Sequence, residues 1–553
     1  MAETIPDAPS DSVPQTGNIF SPSLTNLLRK FPSASRLSLC RKELLSRSLE
    51  WPLHRVKVLE GHTGCVNALS WTSDGETLIS GGDDTTVRFW RMSEDKGDPD
   101  DEYPFVCYHQ VPTGHWDNIF SAKMLPFSTR LVTTARDGLV KVFDVSAEIT
   151  TFDSASSHSR GSPVRPAWKQ RTIRCHSDSV KRITTELSPD VFLTISEDGT
   201  VRQHDLRAPV HHCRSEGGGA CPSPLVKLPY RLFSMSIAPS APHQLVVAGN
   251  HPYGYLFDRR QIGRLLQTEW GVPVEDSSLT TCVRRFSIMA KPSPHEYITA
   301  ARVSFSNGHE VSRLYSYGGH SVYLFSTLDD PTEVSLKSRT PSPILSPNSR
   351  QQKSSGCPSS TGLDDPISGD APRPADGQGP FDHEDVQMDE SGDREESEEE
   401  EEEEEETEYS DVPLVLPRRS FKGVSNLQTI KDVAFVGPND EFVASGSDDG
   451  YFFLWRRESG TLHGIYEGDG SVVNVIEPHP TLPLIAVSGI DHEPKLFSPH
   501  KGRDEWSRLD RAGSIINRNV GSVNVPPIVS LLQDIGIIVD ESGSVDPSQC
   551  THQ

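Results

Sequence analysis

Apolar and polar residues alternate in short runs along most of this chain, and clusters of Gly, Asp and Ser separate the runs. The stretch Leu59 to Trp90 shows the unit most fully. It opens Leu59-Glu60-Gly61-His62 and continues with the apolar positions Val66, Ala68, Leu69 and Trp71. Asp74-Gly75, Leu78-Ile79-Ser80, Asp83-Asp84 and Val87-Arg88-Phe89-Trp90 complete it. Such alternation predicts strands whose two faces are both covered by neighbouring sheets. Asp74-Gly75 predicts a tight hairpin, because Gly accepts positive φ and Asp can bond its own backbone. His62, Ser80, Asp84 and Trp90 are spaced to hydrogen-bond one another inside the sheet. Left unpaired when buried, such groups cost about 1–3 kcal/mol each.

The unit recurs at the spacing of about 40–45 residues that marks the blades of a WD-repeat β-propeller. A second copy runs from about Thr113 to Val145, with His115 and Asp137 at the polar positions. A third, from about Ile173 to Arg207, carries His176 and Asp198. Weaker copies follow at Leu232 to Arg260 and at Ala301 to Phe325. A sixth resumes at Lys431, with Asp449 and Trp455 in the corresponding places, and a seventh spans Val472 to Phe497. Arg55 to Leu59 is assigned as a closing strand on the last blade, which removes a free sheet edge. The expected fold is all-β: a seven-bladed WD-repeat β-propeller with an N-terminal helical extension and a long disordered acidic insertion.

The pattern fails in four places. Residues 1–22 are polar and predict disorder. Residues 23–50 switch to helical spacing, with Leu24, Leu27, Leu28 and Phe31 before Pro32, and Leu37, Leu39, Leu44, Leu45 and Leu49 after it. That segment is open to two readings, a cap packed on the propeller or a helix that docks in a partner's groove. The stretch Gln261 to Tyr297, between the fourth and fifth copies, reads as a long loop. Residues 327–417 form the acidic insertion, placed between blades five and six. Blades one to five thus occupy 55–326 and blades six and seven 418–500. The tail, 501–553, holds Ile515-Ile516 and the apolar run Ile528 to Val539, which the pattern leaves unplaced.

Charge sharpens this division. The formal net charge is −25. Between Thr327 and Val415 stand 26 Asp/Glu and 6 Lys/Arg, so that segment carries −20 of it. Its run Glu398 to Glu406 repels itself and stays extended. It reads as a solvating spacer or as a binding tail for basic proteins such as histones. Ser391 and Ser397, beside acids, and Thr340, Ser342 and Ser346, each before Pro, are weak candidate phosphorylation sites. The balance lacks the basic footprint of direct nucleic-acid binding. No apolar run is long enough to span a membrane, and the N-terminus lacks the apolar core of a signal peptide. Nine scattered cysteines predict reduced thiols rather than a disulfide framework. His211-His212-Cys213 lacks a matching second half, so no metal or other cofactor is expected. Walker, HExxH and GxSxG motifs are absent, and Asp and His recurring at the blade period read as structural rather than catalytic.

Two blade ends carry more specific chemistry. The third copy ends His204-Asp205-Leu206-Arg207 and the fourth ends Phe257-Asp258-Arg259-Arg260. Each is a variant of Trp-Asp-x-Arg. The Asp would turn the chain, and the Arg would project from the rim with a fork suited to carboxylates or carbonyls. They read either as arginines covering a rim or as a docking motif.

With these motifs the chain resembles the WD-repeat substrate receptors of cullin-4 RING ubiquitin ligases, in the branch of the WD and tetratricopeptide repeats protein and its relatives. The resemblance rests on Gly61 to Asn67, Gly114-His115 with Asn118 to Ser121, Val180 to Ile183, Glu197 to Arg207 and Gly318-Gly319 with Val322 to Phe325. Its most specific part runs from Glu441 through Phe453-Leu454-Trp455, Glu467-Gly468-Asp469 and Glu477-Pro478-His479-Pro480 to Asp491-His492. It implies a non-catalytic receptor whose N-terminal helix and rim bind the triple-propeller adaptor named for UV-damaged DNA binding, while another face presents a protein substrate. Adaptor contact then falls on Asp205, Arg207, Asp258 and Arg260, and on Leu24, Leu27 and Leu28. Two departures stand out: His204 and Phe257 replace the Trp of the motif, and no tetratricopeptide array is visible. The competing expectation is a WD-repeat scaffold for chromatin or signalling complexes. Either role fits the nucleus, the cytoplasm or both.

Overall fold

A computed structural model describes residues 35–93, 103–146, 170–208, 223–238, 241–262, 280–290, 292–293, 295–304, 312–317, 319–326, 329, 409, 412–501 and 505–522. These residues build seven sheets, six of four strands and one of five. In the first, Val66–Trp71, Leu78–Gly82, Thr86–Met92 and Phe105–Pro112 pair antiparallel in chain order. The first strand of every sheet lies beside the first strand of the next, and Val66–Trp71 lies beside Val473–Pro478 of the last. The sheets therefore stand in a closed ring with their first strands around a central channel, a WD40 β-propeller.

Apolar side chains from facing sheets fill the space between them. Leu69, Leu78 and Trp90 of the first sheet pack with Val475, Ala486 and Leu496 of the seventh. This is why Leu78–Gly82 is buried at every position, as the alternation requires of a strand covered on both faces. The hairpin at Asp74-Gly75 also forms. Asp74 Oδ1 accepts from Glu76 N at 3.0 Å, and Gly75 takes φ +78°. A Cβ on Gly75 would stand 2.5 Å from the His479 ring of the seventh sheet, so space as well as backbone demands Gly here.

Ring closure uses both ends of the chain. Leu53–Val58 pairs antiparallel with Lys495–Pro499, with Leu53 opposite Pro499 and Val58 opposite Lys495. Just before it, the helix Ser35–Ser48 ends with Leu45 and Leu49 buried, and Leu49 joins the core between the sixth and seventh sheets. His463 Nε2 donates to Leu49 O at 3.1 Å, Arg456 grips Glu50, and the Ser46 hydroxyl donates to Glu441. The C-terminal end of this helix is thus packed on the ring.

The acidic insertion is the main correction. Its expected bounds, 327–417 between blades five and six, do not hold. The fifth sheet runs Ile298–Val303, Ser312–Tyr317, Gly319–Ser326 and then Arg419–Asn426, so the insertion interrupts this sheet before its last strand. The chain rejoins the fold earlier than composition suggested, because Leu414–Val415 forms a parallel strand against Thr280–Phe286 of the fourth sheet. Both residues are buried, Val415 against Phe286 and Phe325. Thr280–Phe286 itself lies in the stretch read as a loop, Gln261 to Tyr297, and Ile173, where the third blade was expected to begin, instead ends Gln170–Ile173, the last strand of the second sheet. Residues 331–408, with Glu398 to Glu406 and the candidate phosphorylation sites, lie outside the described residues.

Part of the tail also finds its place. The helix Ala512–Ser522 packs on Arg419–Asn426 through Ile515 and Ile516. Gly423 has φ +114°, and a Cβ there would come within 2.9 Å of Ile516. Asn519 Nδ2 donates to Gly423 O and to Asp449 Oδ2, each at 2.8 Å. The run Ile528 to Val539 lies outside the described residues.

Candidate functional site

The polar positions of the repeat hold the first three sheets rigid from within. In the first, His62 Nδ1 meets Asp84 Oδ2 at 2.9 Å and His62 Nε2 meets Ser80 Oγ at 2.7 Å. Trp90 Nε1 donates to the same Ser80 Oγ at 2.8 Å. Burial disfavours the Asp84 charge, yet hydrogen bonds from His62 and Thr86 outweigh it and its pKa is lowered. In the second sheet His115 joins Asp137 at 2.8 Å and Thr133 at 2.9 Å. In the third, His176 joins Asp198 at 3.0 Å and Thr194 at 2.8 Å. Here His204 stands where the first sheet has Trp90, and its Nε2 meets Thr194 Oγ1 at 2.8 Å. Burial lowers the His204 pKa to about 3, helped by the charges of His176 and nearby arginines, so the ring is neutral; with His176 Nδ1–H on Asp198, the Thr194 hydroxyl donates to His176 Nε2 and its oxygen accepts from His204 Nε2–H.

Asp449 and Trp455 do not complete this relay, which corrects the expectation for the sixth copy. Leu427 occupies the histidine position, 22 residues before Asp449 as His62 is before Asp84. Asp449 instead accepts from Tyr451 N and from Asn519 of the C-terminal helix. Trp455 is buried against Phe421 and Phe453. The neighbouring pair Lys431 and Asp448 supplies the buried polar contact of this sheet, an ion pair that the repeat pattern gave no reason to single out.

The two Asp–Arg pairs lie on the third strands of adjacent sheets, Asp205 at the end of Thr200–Asp205 and Asp258 midway along Gly254–Ile262. Asp205 stands opposite Val191 and Asp258 opposite Gln244, near the start of the second strand in each case. They therefore lie on the rim formed by the loops that join first to second strands. Each Asp grips its own Arg with two parallel bonds. Arg207 Nε and Nη2 reach the Asp205 oxygens at 2.9 and 2.8 Å, and Arg260 Nε and Nη2 reach those of Asp258 at 3.0 and 2.6 Å. The bond from Arg207 pulls Asp205 down to about 2, and Arg260 likewise lowers Asp258. Both guanidinium groups remain open to solvent, their side chains 66% exposed. Held by one edge, each presents its remaining donors outward in a fixed plane.

Arg259, between them, turns inward and braces the rim. Its guanidinium bonds Glu186 Oε1 and Gln203 Oε1 of the preceding sheet, each at 2.6 Å. Arg130 reaches Pro189 O at 3.3 Å and also binds Asp190, tying the second sheet to the third in the same way. The motif hides Arg259 because its second Arg is the exposed one. The end of the helix Ser35–Ser48 lies on the same rim, since Glu441 and Asn439, its partners, belong to the first-to-second loop of the sixth sheet. Leu24, Leu27 and Leu28 lie outside the described residues, as does His211-His212-Cys213.

Comparison with known proteins agrees on the repeat. The family described as WD domain, G-beta repeat matches residues 53–91, 106–144 and 417–456. The WD repeat protein iqw1 of Schizosaccharomyces pombe is 35% identical over 283 residues, which is 50% of this chain and 32% of that protein. The WD and tetratricopeptide repeats protein 1 of Mus musculus is 25% identical over 660 residues, 86% of this chain and 90% of that protein. The human DDB1- and CUL4-associated factor 6 is 27% identical over 294 residues, 52% of this chain and 29% of that protein. The chain spans about a third of the length of the first of these relatives. The family match and the names of the first two relatives share the WD repeat with the described sheets.

Proposed function

We propose that this chain is a non-catalytic substrate receptor of a cullin-4 RING ubiquitin ligase. The rim that bears Asp205–Arg207 and Asp258–Arg260 docks on the triple-propeller adaptor, and the opposite rim receives the protein to be modified. The observation that carries this reading is the pair of self-clamped, outward-facing arginines on adjacent sheets. A guanidinium fixed by its own carboxylate loses little freedom when it meets a partner's carbonyl or carboxylate. The printed name of the human relative, which associates that protein with DDB1 and CUL4, supports the same reading.

Co-purification of the adaptor with the full chain tests it. The helix end cannot be removed cleanly, because Leu45 and Leu49 are buried on the ring. Deletion of residues 1–34 takes away Leu24, Leu27 and Leu28 and spares the packed helix. Adaptor recovery should fall with this deletion and with Arg207→Ala combined with Arg260→Ala. Recovery equal to wild type in both would instead favour a scaffold whose acidic run, Glu398 to Glu406, binds basic proteins.

A further inference from the structure

Two apolar side chains stand out on the rim that bears the paired arginines. Phe127 is 81% and Leu187 80% exposed, the highest values among the large apolar side chains that the structure describes. Phe127 lies in the turn between Ile119–Met124 and Arg130–Ala135 of the second sheet. Leu187 lies in the turn between Val180–Thr185 and Val191–Ser196 of the third. Both turns join first to second strands, so both side chains belong to the rim of Asp205 and Asp258. The turn of Phe127 is tightly bonded. Leu125 N donates to Arg130 O at 2.9 Å, and the Ser128 hydroxyl donates to Leu125 O at 3.0 Å. Arg130 then crosses to Asp190 and to Pro189 O, in the turn of Leu187.

The turn of Leu187 is bonded in its own right to both arginine segments. Leu206 N, next to Arg207, donates to Asp190 O at 2.9 Å. Glu186, next to Leu187, accepts from Arg259, next to Arg260, at 2.6 Å. A partner that brings acceptors to Arg207 and Arg260 therefore also meets the turn of Leu187 and, through Arg130, that of Phe127. Phe127 holds a backbone conformation that the fold alone does not favour. Its φ is +53°, in the left-handed region, where a side chain costs about 1–2 kcal/mol. Exposed as it is, the ring recovers little of this by burial in the free chain. Strain kept at an exposed aromatic residue points to a role outside folding.

We propose that Phe127 and Leu187 are the apolar anchors of the adaptor interface, buried on docking in apolar recesses beside the acceptors that meet Arg207 and Arg260. This rests on the receptor reading and adds to it the side chains that supply affinity. Each arginine is balanced by its own aspartate, so net charge contributes little. The arginines instead fix orientation and reject surfaces without acceptors. Phe127 and Leu187 gain by leaving water, and an aromatic ring beside arginine donors is a combination that carries much of the energy of protein interfaces. The bonded turns beneath them are already ordered, which keeps the entropy cost of docking low.

Binding of the purified adaptor to the immobilised full chain tests this. Phe127→Gly and Leu187→Ser should each weaken it about tenfold, and the two together more. Leu187→Met, which keeps the apolar volume, should bind as wild type does. Phe127→Gly should keep the melting temperature of wild type, because relief of the turn offsets the larger entropy that glycine loses on folding. Its lost affinity then reports on contact rather than unfolding. Wild-type affinity in the combined variant, with binding lost in Arg207→Ala combined with Arg260→Ala, overturns this inference and leaves the receptor reading standing. Failure of the wild-type chain to bind the adaptor overturns both. Sedimentation that shows the wild type self-associating, and Phe127→Gly with Leu187→Ser not, would give the patch to a second copy and overturn the inference too.

Discussion

His204 meets Thr194 across 2.8 Å, the same distance at which Trp90 meets Ser80 two sheets away. An imidazole therefore does the work of an indole N–H, and the missing Trp of the third repeat does not break its polar relay. The substitution adds a pH dependence that Trp lacks. A ring with an unfolded pKa near 6.5 and a folded pKa of about 3 binds its proton in the unfolded chain first. The stability it supports is complete above pH 6.5 and is lost as pH falls toward 3. The second sheet has Phe143 in the corresponding place, so the fold accepts Phe there. His204→Phe should cost about 1 kcal/mol at pH 8, from the hydrogen bond lost by Thr194. Its denaturant midpoint should then decline less steeply than that of wild type between pH 6.5 and 4.

Arg207→Ala with Arg260→Ala should separate binding from folding. Each guanidinium is solvated and, among the described residues, bonds its own Asp. Calorimetry should give the double variant the melting temperature of wild type, while adaptor co-purification falls. Arg259→Ala should do the reverse. It removes the brace to Glu186 and Gln203 and lowers the melting temperature, because these half-buried partners lose their charge-assisted bonds.

Asn519→Ala should free the C-terminal helix. The Asn519 side chain is buried and bridges Gly423 O and the Asp449 carboxylate. Its loss should cost about 1–3 kcal/mol locally. Hydrogen exchange should quicken across Ala512–Ser522 and Arg419–Asn426, while the first three sheets keep their protection.

Gly75→Ala should destabilise by about 1–2 kcal/mol, since φ +78° penalises any Cβ and this one also meets the His479 ring. Asp74→Ala, which removes the turn bonds to Glu76 N and Thr72 Oγ1, should cost less. Urea midpoints of the two variants compare the costs directly.

Those strands that carry the repeat's own side chains were legible from the chain, because a period of two with His62, Ser80 and Asp84 at fixed offsets leaves few alternatives. Outer strands were not. Val226–Lys227 is two residues long and Gln170–Ile173 is mostly polar. Their place is set by backbone pairing, which leaves no side-chain period to read. Leu414–Val415 was absorbed into the acidic stretch because two apolar residues beside a polyanionic run do not change its composition. In the rim, the exposed pairs Asp205–Arg207 and Asp258–Arg260 were visible as motifs. The bracing by Arg259 was not, nor was the ion pair of Arg182 with Asp432, since those two lie 250 residues apart and meet only once the ring exists.

The interrupted fifth sheet divides the molecule in a particular way. Everything before residue 331 supplies three complete sheets, four of the five strands of the fourth, three strands of the fifth and the closing strand of the seventh, and everything after 408 supplies the rest. The two portions are stitched at three seams: Leu53–Val58 to Lys495–Pro499, Gly319–Ser326 to Arg419–Asn426, and Thr280–Phe286 to Leu414–Val415. A protease cut within the acidic stretch would thus sever the polypeptide without parting the ring, and two separately made halves should reassemble into one.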